Sequence, residues 1–260
     1  SLKWDERVDP AIWQPVPTLF ERAMAADINV THVAAKRYED TGFTRAVFRG
    51  ANYRGANIHE DLVTETVEAL KKTPSFVYLY VNELDVAGHS DGVGSEKWLA
   101  ALVAIDQLVA NLLKKLPRKT RIWLTADHGM INVGEKIVIG QDNGLATDIA
   151  TIAGEPRARH LYLAEGAPLS AHQEVASRWE EYLGERATVY LRDQAIAAGL
   201  FGSEVSLDAS ERMGDVIAIA HGEMILIEAE REKQEGSMVG HHGGATDIES
   251  FVPLLTHVTS

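Results

Sequence analysis

The sequence predicts an α/β protein with a mostly parallel central sheet flanked by helices, together with a smaller, irregular lid or subdomain. Segments typical of strands and of helices alternate through the first half of the chain. After Met130 this alternation breaks down and the predicted strands become short. We therefore expect a single domain over residues 1–260, within which residues 132–236 form the lid.

The first predicted helix begins at Thr18. Thr18 and Glu21 have the spacing of a capping box, in which the two side chains bond to each other's backbone N–H groups. The cap accounts for this threonine, so we do not interpret it as a nucleophile. Further along, the apolar pattern predicts a strand over residues 29–34 and a helix over about 58–72.

Two continuous apolar runs, residues 76–81 and 121–126, predict strands that are buried on both faces. A helix is predicted between them, over about residues 95–116. Its apolar residues recur at alternating steps of four and three, which places them on one buried stripe of the helix. The stripe consists of Trp98, Leu102, Ile105, Val109, Leu112 and Leu116.

The second half of the chain contains shorter predicted elements. Two apolar segments flank His221-Gly222, which predicts a β-hairpin. A final strand is predicted over residues 251–255, where Pro253 restricts it to a sheet edge or a bulge. The remaining predictions are strands near 137–140, 159–163 and 186–191 and an amphipathic helix near 170–183.

Composition limits the classes of function. The chain has 260 residues, 25 basic and 38 acidic, and a net charge of −13, which argues against charge-driven binding of a nucleic-acid polymer. A phosphate-bearing substrate would need a metal ion to offset this negative field. The absence of cysteine excludes disulfides and thiolate metal sites. No apolar run has the length of a membrane span, so we expect no membrane association. A cytoplasmic location is the working expectation, and a homo-oligomer is left open.

Three short segments carry the candidate chemistry, and each contains histidine near glycine. Asp85 and His89 follow the strand predicted at 76–81, and Asp127 and His128 follow the strand predicted at 121–126. Because ligands bind outside the carboxyl ends of parallel strands, we expect both pairs to face a common crevice. The third segment is the His-His-Gly-Gly sequence at 241–244.

This mixture of imidazole and carboxylate groups is typical of sites for zinc and related divalent cations. Each pair also has a structural interpretation when taken alone. Asp85 could begin a turn with His89 at the surface, and Asp127 could cap a helix with His128 packed beneath it. The occurrence of all three segments at predicted strand or loop ends favours a metal site.

These residues resemble those of the alkaline phosphatase superfamily, and within it the bacterial type I phosphodiesterase/nucleotide pyrophosphatase family. The resemblance spans almost the whole chain. It is carried by the Asp-x-x-x-His pair at 85–89, which precedes a late His-Gly-Gly, and by three further strings: WQPVPT at 13–18, TADHGM at 125–130 and VPLL at 252–255.

The resemblance implies an alkaline-phosphatase-like fold and metal-dependent hydrolysis of phosphodiester or pyrophosphate bonds in nucleotides. The partner would be a small-molecule nucleotide or phosphodiester. Two divalent ions are implied, usually zinc and sometimes manganese. Asp85, His89 and His242 would hold the first ion, and Asp127 and His128 part of the second. We prefer His242 because the family's histidine directly precedes Gly-Gly, and His241 is kept as the alternative.

The sequence departs from the family pattern at its start. Family members place a metal-binding Asp and a Thr or Ser nucleophile upstream of the WQPVPT region, which here lies at residues 13–18. We therefore expect the C-terminal portion of a longer protein, without the N-terminal nucleophile segment and nearly inactive by itself. No catalytic residue is assigned. The alternatives are a phosphonate or phosphomonoester hydrolase of the same superfamily, or a non-catalytic metal-binding fragment.

Overall fold

A computed structural model describes residues 8–140 and 142–260. The chain forms two compact units. Among the described residues, the first consists of residues 8–84, 99–123 and 255–260, and the second of residues 85–98, 124–140 and 142–254. The assignment of 132–236 as a lid within one domain stays a prediction.

Helices and strands alternate as an α/β class requires, and this class is confirmed. The helices are α1 (Pro10–Trp13), α2 (Leu19–Ala25), α3 (Gly42–Val47), α4 (His59–Ala69), α5 (Glu83–Asp91), α6 (Glu96–Lys115), α7 (Leu169–Leu183), α8 (Arg192–Ala197), α9 (Leu207–Glu211), α10 (Glu232–Glu235) and α11 (Asp247–Ser250). The strands are β1 (Asn29–Ala34), β2 (Asn52–Gly55), β3 (Ser75–Leu79), β4 (Arg121–Thr125), β5 (Ile131–Asn132), β6 (Glu135–Ile139), β7 (Thr151–Glu155), β8 (Ala158–Tyr162), β9 (Ala187–Leu191), β10 (Val216–Ala220), β11 (Met224–Glu228), β12 (Gly240–His241) and β13 (Leu254–Val258).

The first unit is built on a parallel sheet with the strand order β2-β1-β3. The capping box of Thr18 and Glu21 at the start of α2 is confirmed. One face of the sheet packs against α4 and α6, and burial of each aliphatic side chain there contributes about 1.5–3 kcal/mol. The buried cluster consists of Val33, Ala56, Leu62, Val63, Leu108 and Leu112.

The opposite face of this sheet is aromatic. The His32 ring stacks on Phe48 at 4.0 Å between centroids. Phe76 and Tyr78 of β3 are each 37% exposed. Trp123 lies on β4, which pairs with β13 in a separate sheet, and it is 56% exposed. The expectation that both apolar runs form strands buried on two faces is therefore wrong for the described residues. An apolar run records what each side chain prefers, and whether another element covers it depends on distant parts of the chain.

The apolar stripe predicted on α6 is only partly the buried face. Leu112 is buried as predicted, but the second buried residue is Leu108, which the stripe did not include. Leu102 is 41% exposed, while Trp98 and Ile105 are half-buried rather than in the core. The helix joins the core through its C-terminal half, and periodicity cannot show which part of a stripe is covered.

The second unit contains an antiparallel sheet with the order β7-β8-β10-β9 and a parallel pair of β6 and β11. Helix α7 packs on the sheet through Trp179, which is fully buried. Its indole Nε1 donates to the carbonyl of Leu145 at 3.0 Å. The core of this unit therefore contains a large buried ring whose one polar atom makes a hydrogen bond.

The hairpin predicted around His221-Gly222 is wrong. Strands β10 and β11 flank this turn, but within the described residues they do not pair with each other. Strand β10 lies between β8 and β9, and β11 runs parallel to β6. Both segments are almost entirely apolar and almost entirely buried, so their composition fits either pairing, and the turn alone does not specify which strands pair.

The other predictions for the second half agree with the structure to within a few residues. The strands predicted near 137–140, 159–163 and 186–191 and the helix near 170–183 correspond to β6, β8, β9 and α7. The last strand begins at Leu254, directly after Pro253. No helix among the described residues has the length and apolar character needed to cross a membrane.

Candidate metal centre

Asp85 and His89 lie on helix α5 (Glu83–Asp91), the element that follows β3. Residues four apart on a helix share one face, so both side chains point the same way. His89 Nε2 lies 3.4 Å from Asp85 Oδ1. The four-residue spacing that marked the pair in the sequence is thus explained by helix geometry.

Asp127 and His128 lie directly after β4, where the sequence predicted them. His128 Nε2 is 3.7 Å from Asp127 Oδ1 and 4.0 Å from Asp85 Oδ1. The second segment therefore brings an imidazole to the same carboxylate that His89 faces.

His242 completes the cluster from the third segment. Its Nε2 lies 3.9 Å from Asp85 Oδ1, and its ring stacks on that of His128 at 3.5 Å between centroids. His241, in β12, is only 3% exposed, and its Nε2 contacts the carbonyl of Glu235 at 3.0 Å. This geometry favours His242 over His241 as the late ligand.

The hydrogen bonds of two histidines fix their ring orientation. His89 Nδ1 lies 2.8 Å from the carbonyl of Gly240, and His128 Nδ1 lies 2.8 Å from the carbonyl of Gly129. A carbonyl can only accept, so each Nδ1 donates its hydrogen. In the neutral ring, Nε2 then presents a lone pair toward Asp85, the arrangement found in metal-ligating histidines.

Burial also keeps His242 neutral. Removal from solvent, together with the nearby His128 and His89 rings, lowers the pKa of His242 to about 4, although Asp85 and Asp127 oppose the shift. An uncharged imidazole offers the lone pair that a metal ion requires.

The cluster has the character of a cation site. Asp85 Oδ1 is buried and has no hydrogen-bond partner among the residues that the structure describes, although three imidazole nitrogens surround it. An unpaired buried carboxylate oxygen is costly unless a cation compensates it. Ligand atoms of Asp85, His128 and His242 lie within 4.8 Å of one another. This donor set fits zinc or manganese.

The sequence profile of the type I phosphodiesterase/nucleotide pyrophosphatase family matches residues 3–245. The chain belongs to this family. No curated protein matches the sequence. The family is one of metal-dependent hydrolases, and the Asp85 cluster is a group that could bind a metal.

Solved structures with a similar fold include proteins of two kinds. Murine ectonucleotide pyrophosphatase/phosphodiesterase 5 is 18% identical with a TM-score of 0.70, and the human protein is 20% identical with a TM-score of 0.68. Each match covers 92% of this chain and 62% of the other. Phosphonoacetate hydrolase from Sinorhizobium meliloti 1021 is 17% identical with a TM-score of 0.63, over 92% of this chain and 67% of that chain. The chain thus spans less than two thirds of the length of its ectonucleotide pyrophosphatase relatives.

The three residues whose ligand atoms lie within 4.8 Å of one another were predicted to bind two different ions. Asp85 and His242 were predicted for the first ion, and His128 for the second. The distances place all of them around one carboxylate oxygen and do not separate two positions. The division of the five residues between two ions stays a prediction.

Sequence reasoning missed a buried ion pair beside the site. Arg157 and Glu249 are almost fully buried and bonded to each other. Burial alone would raise the pKa of Glu249, but hydrogen bonds from Arg157, Thr246 and the Gly244 N–H outweigh it and lower the pKa. The sequence does contain the Thr246-x-x-Glu249 spacing of a capping box. In the structure, however, Thr246 Oγ1 donates to the Glu249 carboxylate and does not cap the helix backbone.

Two histidines outside the cluster have contacts typical of structural residues. His160 Nδ1 accepts from the N–H of Gly214, and His59 contacts Glu83 at 3.1 Å.

A cavity of about 760 Å³ in the first unit is lined by His32 and Phe48, among other residues. Both ring nitrogens of His32 are buried and have no partner among the described residues. None of the five predicted ligands lines this cavity.

Proposed function

We propose that this chain forms the metal-binding part of a hydrolase that cleaves phosphodiester or pyrophosphate bonds in nucleotides. Family membership supports the reaction class. The observation that carries the proposal is the buried, unpartnered Asp85 Oδ1 surrounded by three imidazoles. One solved structure, an inactive variant of the murine relative, is in complex with AMP, which supports a nucleotide as substrate.

The proposal assigns Asp85, His89 and His242 to a first divalent ion, and Asp127 and His128 to part of a second. Zinc is the first choice and manganese the alternative. When bound, such ions neutralise the phosphoryl group and activate the attacking group. The chain's own residues hold three imidazoles against one carboxylate, and this arrangement is suited to an added positive charge.

We assign no nucleophile in this chain. The Thr18 hydroxyl accepts from the N–H of Glu21 at 3.0 Å and donates to the carbonyl of Arg49 at 2.5 Å, so its hydrogen-bonding capacity is used by the fold. The proposal therefore includes a Thr or Ser nucleophile that these residues do not supply. The chain alone is expected to bind metal and to hydrolyse diesters slowly or not at all.

A second candidate is hydrolysis of a phosphonate. Its support is the similarity of fold to phosphonoacetate hydrolase, which has been solved in complex with phosphonoformate and with phosphonoacetate. Both candidates use the same metal cluster and differ in the substrate. A panel of a chromogenic diester, a monoester and a phosphonate separates them in any form of the protein that turns over.

The first test is metal binding by the purified chain. Metal-free protein is titrated with Zn²⁺ or Mn²⁺ in competition with a chromogenic chelator. The matched variants are Asp85→Asn and Asp91→Asn, because both residues lie on α5 and Asp91 pairs with Lys97 instead of the cluster. We expect Asp85→Asn to weaken zinc binding by roughly 100-fold or more, since even groups that only orient a ligand contribute roughly 10- to 100-fold.

Asp91→Asn should bind zinc like the unmodified chain. Absence of zinc binding by the unmodified chain, or equal binding by Asp85→Asn, would overturn the proposal. Zinc binding without turnover of any substrate would support the proposal that the chain holds the metal ligands but no nucleophile. Turnover of the diester at a normal enzymatic rate that disappears in Asp85→Asn would show that a nucleophile is present after all.

A further inference from the structure

One buried carboxylate, that of Glu249, is bonded to the loop that carries His242. Its Oε1 accepts from the N–H of Gly244 at 2.9 Å, and its Oε2 accepts from Thr246 Oγ1 at 2.6 Å. The guanidinium of Arg157 donates to both oxygens, at 3.0 and 2.6 Å. Gly244 lies two residues after His242, so these bonds fix the backbone on which the histidine is mounted.

The main chain of the same residue is bonded to the loop that carries His128. The N–H of Gly129 donates to the carbonyl of Glu249 at 2.8 Å. The approach is so close that a Cβ on Gly129 would lie 1.8 Å from the carbonyl oxygen of Ile248. Glu249 therefore holds two of the three segments of the metal cluster, one through its side chain and one through its backbone.

Arg157 connects Glu249 to the start of β11 and to the turn that precedes it. Its guanidinium is fully buried and also donates to the carbonyls of Met224 at 2.5 Å and His221 at 3.3 Å. A buried ion pair loses solvation that its attraction only partly recovers, so such pairs are weak evidence for a stabilising role. What this pair does provide is geometry, because a bidentate guanidinium fixes both oxygens of the carboxylate.

We infer that Arg157 and Glu249 are positioning residues that hold the loops of His128 and His242 at ligand distance from Asp85. The inference rests on the metal-binding function proposed above. If Glu249 had a purely structural role, loss of its charge would lower only the stability of the fold. A positioning role predicts that loss of the charge also weakens metal binding.

The test compares three variants of the whole chain. Glu249→Gln keeps the shape of the side chain but places an amide N–H₂ among groups that are all donors. Thr246→Val removes one hydroxyl from the carboxylate and preserves volume, so it should fold even if Glu249→Gln does not. Asp215→Asn is the matched control, because Asp215 pairs with Arg192 at 2.6 Å and accepts from the N–H of Leu163 at 2.9 Å.

Three quantities are measured: the Zn²⁺ dissociation constant, the visible absorption spectrum of the Co²⁺-loaded protein, and urea unfolding of the metal-free protein. We expect Glu249→Gln and Thr246→Val to weaken zinc binding by roughly 10- to 100-fold, the range for groups that orient metal ligands. Their Co²⁺ spectra should shift, because the spectrum reports ligand geometry. Asp215→Asn should lose stability while its zinc affinity and Co²⁺ spectrum stay unchanged.

Unchanged zinc affinity and Co²⁺ spectrum in Thr246→Val and Glu249→Gln, with lowered stability alone, would overturn the inference and leave the proposed function intact. Failure of the unmodified chain to bind zinc would overturn both. If Glu249→Gln does not fold, the Thr246→Val result decides.

Discussion

The imidazole of His89 and the main-chain carbonyl of Gly240 are joined by a hydrogen bond of 2.8 Å, although the two residues are 151 positions apart in the sequence. This bond sets the His89 tautomer and turns Nε2 toward Asp85. It also ties helix α5 to the strand that precedes His242. The candidate metal cluster is thus built by main-chain contacts of its histidines as much as by contacts among its own side chains.

The division of ligands between two ions predicts different effects for two histidines. If Asp85, His89 and His242 hold the tighter ion, His89→Ala should weaken the tightest zinc site by roughly 100-fold or more, and His128→Ala should leave that site intact. Zinc titration of both variants measures this, with His257→Ala as a surface control. Loss of the tightest site in His128→Ala with retention in His89→Ala would instead assign it to the compact group of Asp85, His128 and His242.

Gly129→Ala should destabilise the fold by about 3 kcal/mol or more, because the new methyl group would overlap the carbonyl of Ile248 and backbone cannot yield cheaply. The control is Gly222→Ala, where φ is +50° and no atom lies within 4 Å of the position that the added methyl group would take. There the cost should be limited to about 1–2 kcal/mol from the left-handed backbone. Chemical unfolding measures both, and equal losses would contradict the steric explanation.

Burial lowers the pKa of His32 to about 4, from an ordinary value of 6.5. The unfolded chain therefore binds a proton between about pH 6.5 and 4 that the folded chain does not, so stability is full above this window and falls as the pH decreases through it. The loss should approach about 3 kcal/mol near pH 4. The adjacent Tyr53 stays neutral, because burial raises its pKa to about 12.

Replacing His32 with Phe isolates this contribution. The ring should still stack on Phe48, and the two unpartnered nitrogens are removed. We expect His32→Phe to be more stable relative to the unmodified chain at pH 5 than at pH 8, as measured by urea unfolding at both values. A stability difference that does not depend on pH would refute this account of His32.

Trp179→Phe should cost about 2–4 kcal/mol, since it leaves a cavity in the core and removes the indole donor to the buried carbonyl of Leu145. Trp123→Phe serves as the comparison, because its ring is largely exposed and its loss should cost less than about 1 kcal/mol. Urea midpoints of the two variants provide the measurement. A larger loss for Trp123→Phe would show that its ring is covered in solution.

Local signals predicted much of this fold. The strand at 29–34 and the capping box at Thr18 depend on neighbours in the sequence, and both are confirmed. Strand pairing and coverage depend on distant segments. This is why the hairpin at His221-Gly222 and the two-sided burial of β3 were wrong.

The candidate site shows the same division. Spacing and glycine context selected Asp85, His89, Asp127, His128 and His242. The structure places the three histidines around the Asp85 carboxylate and Asp127 beside His128, while their roles as ligands stay a prediction. Glu249 was not selected, because its spacing to Thr246 is that of an ordinary helix cap. Its role depends on Arg157, a residue 92 positions away that no local pattern connects to it.

The distribution of the cluster along the chain also has a consequence for biosynthesis. In the folded chain, His89 and the loops that carry His128 and His242 are bonded to Gly240, Gly244 and Glu249, which all lie late in the sequence. During synthesis, Asp85 and His89 emerge from the ribosome before the segment that contains Gly240, His242 and Glu249. We therefore expect metal to be acquired only after this segment has emerged, so the ion cannot serve as an early nucleus for folding.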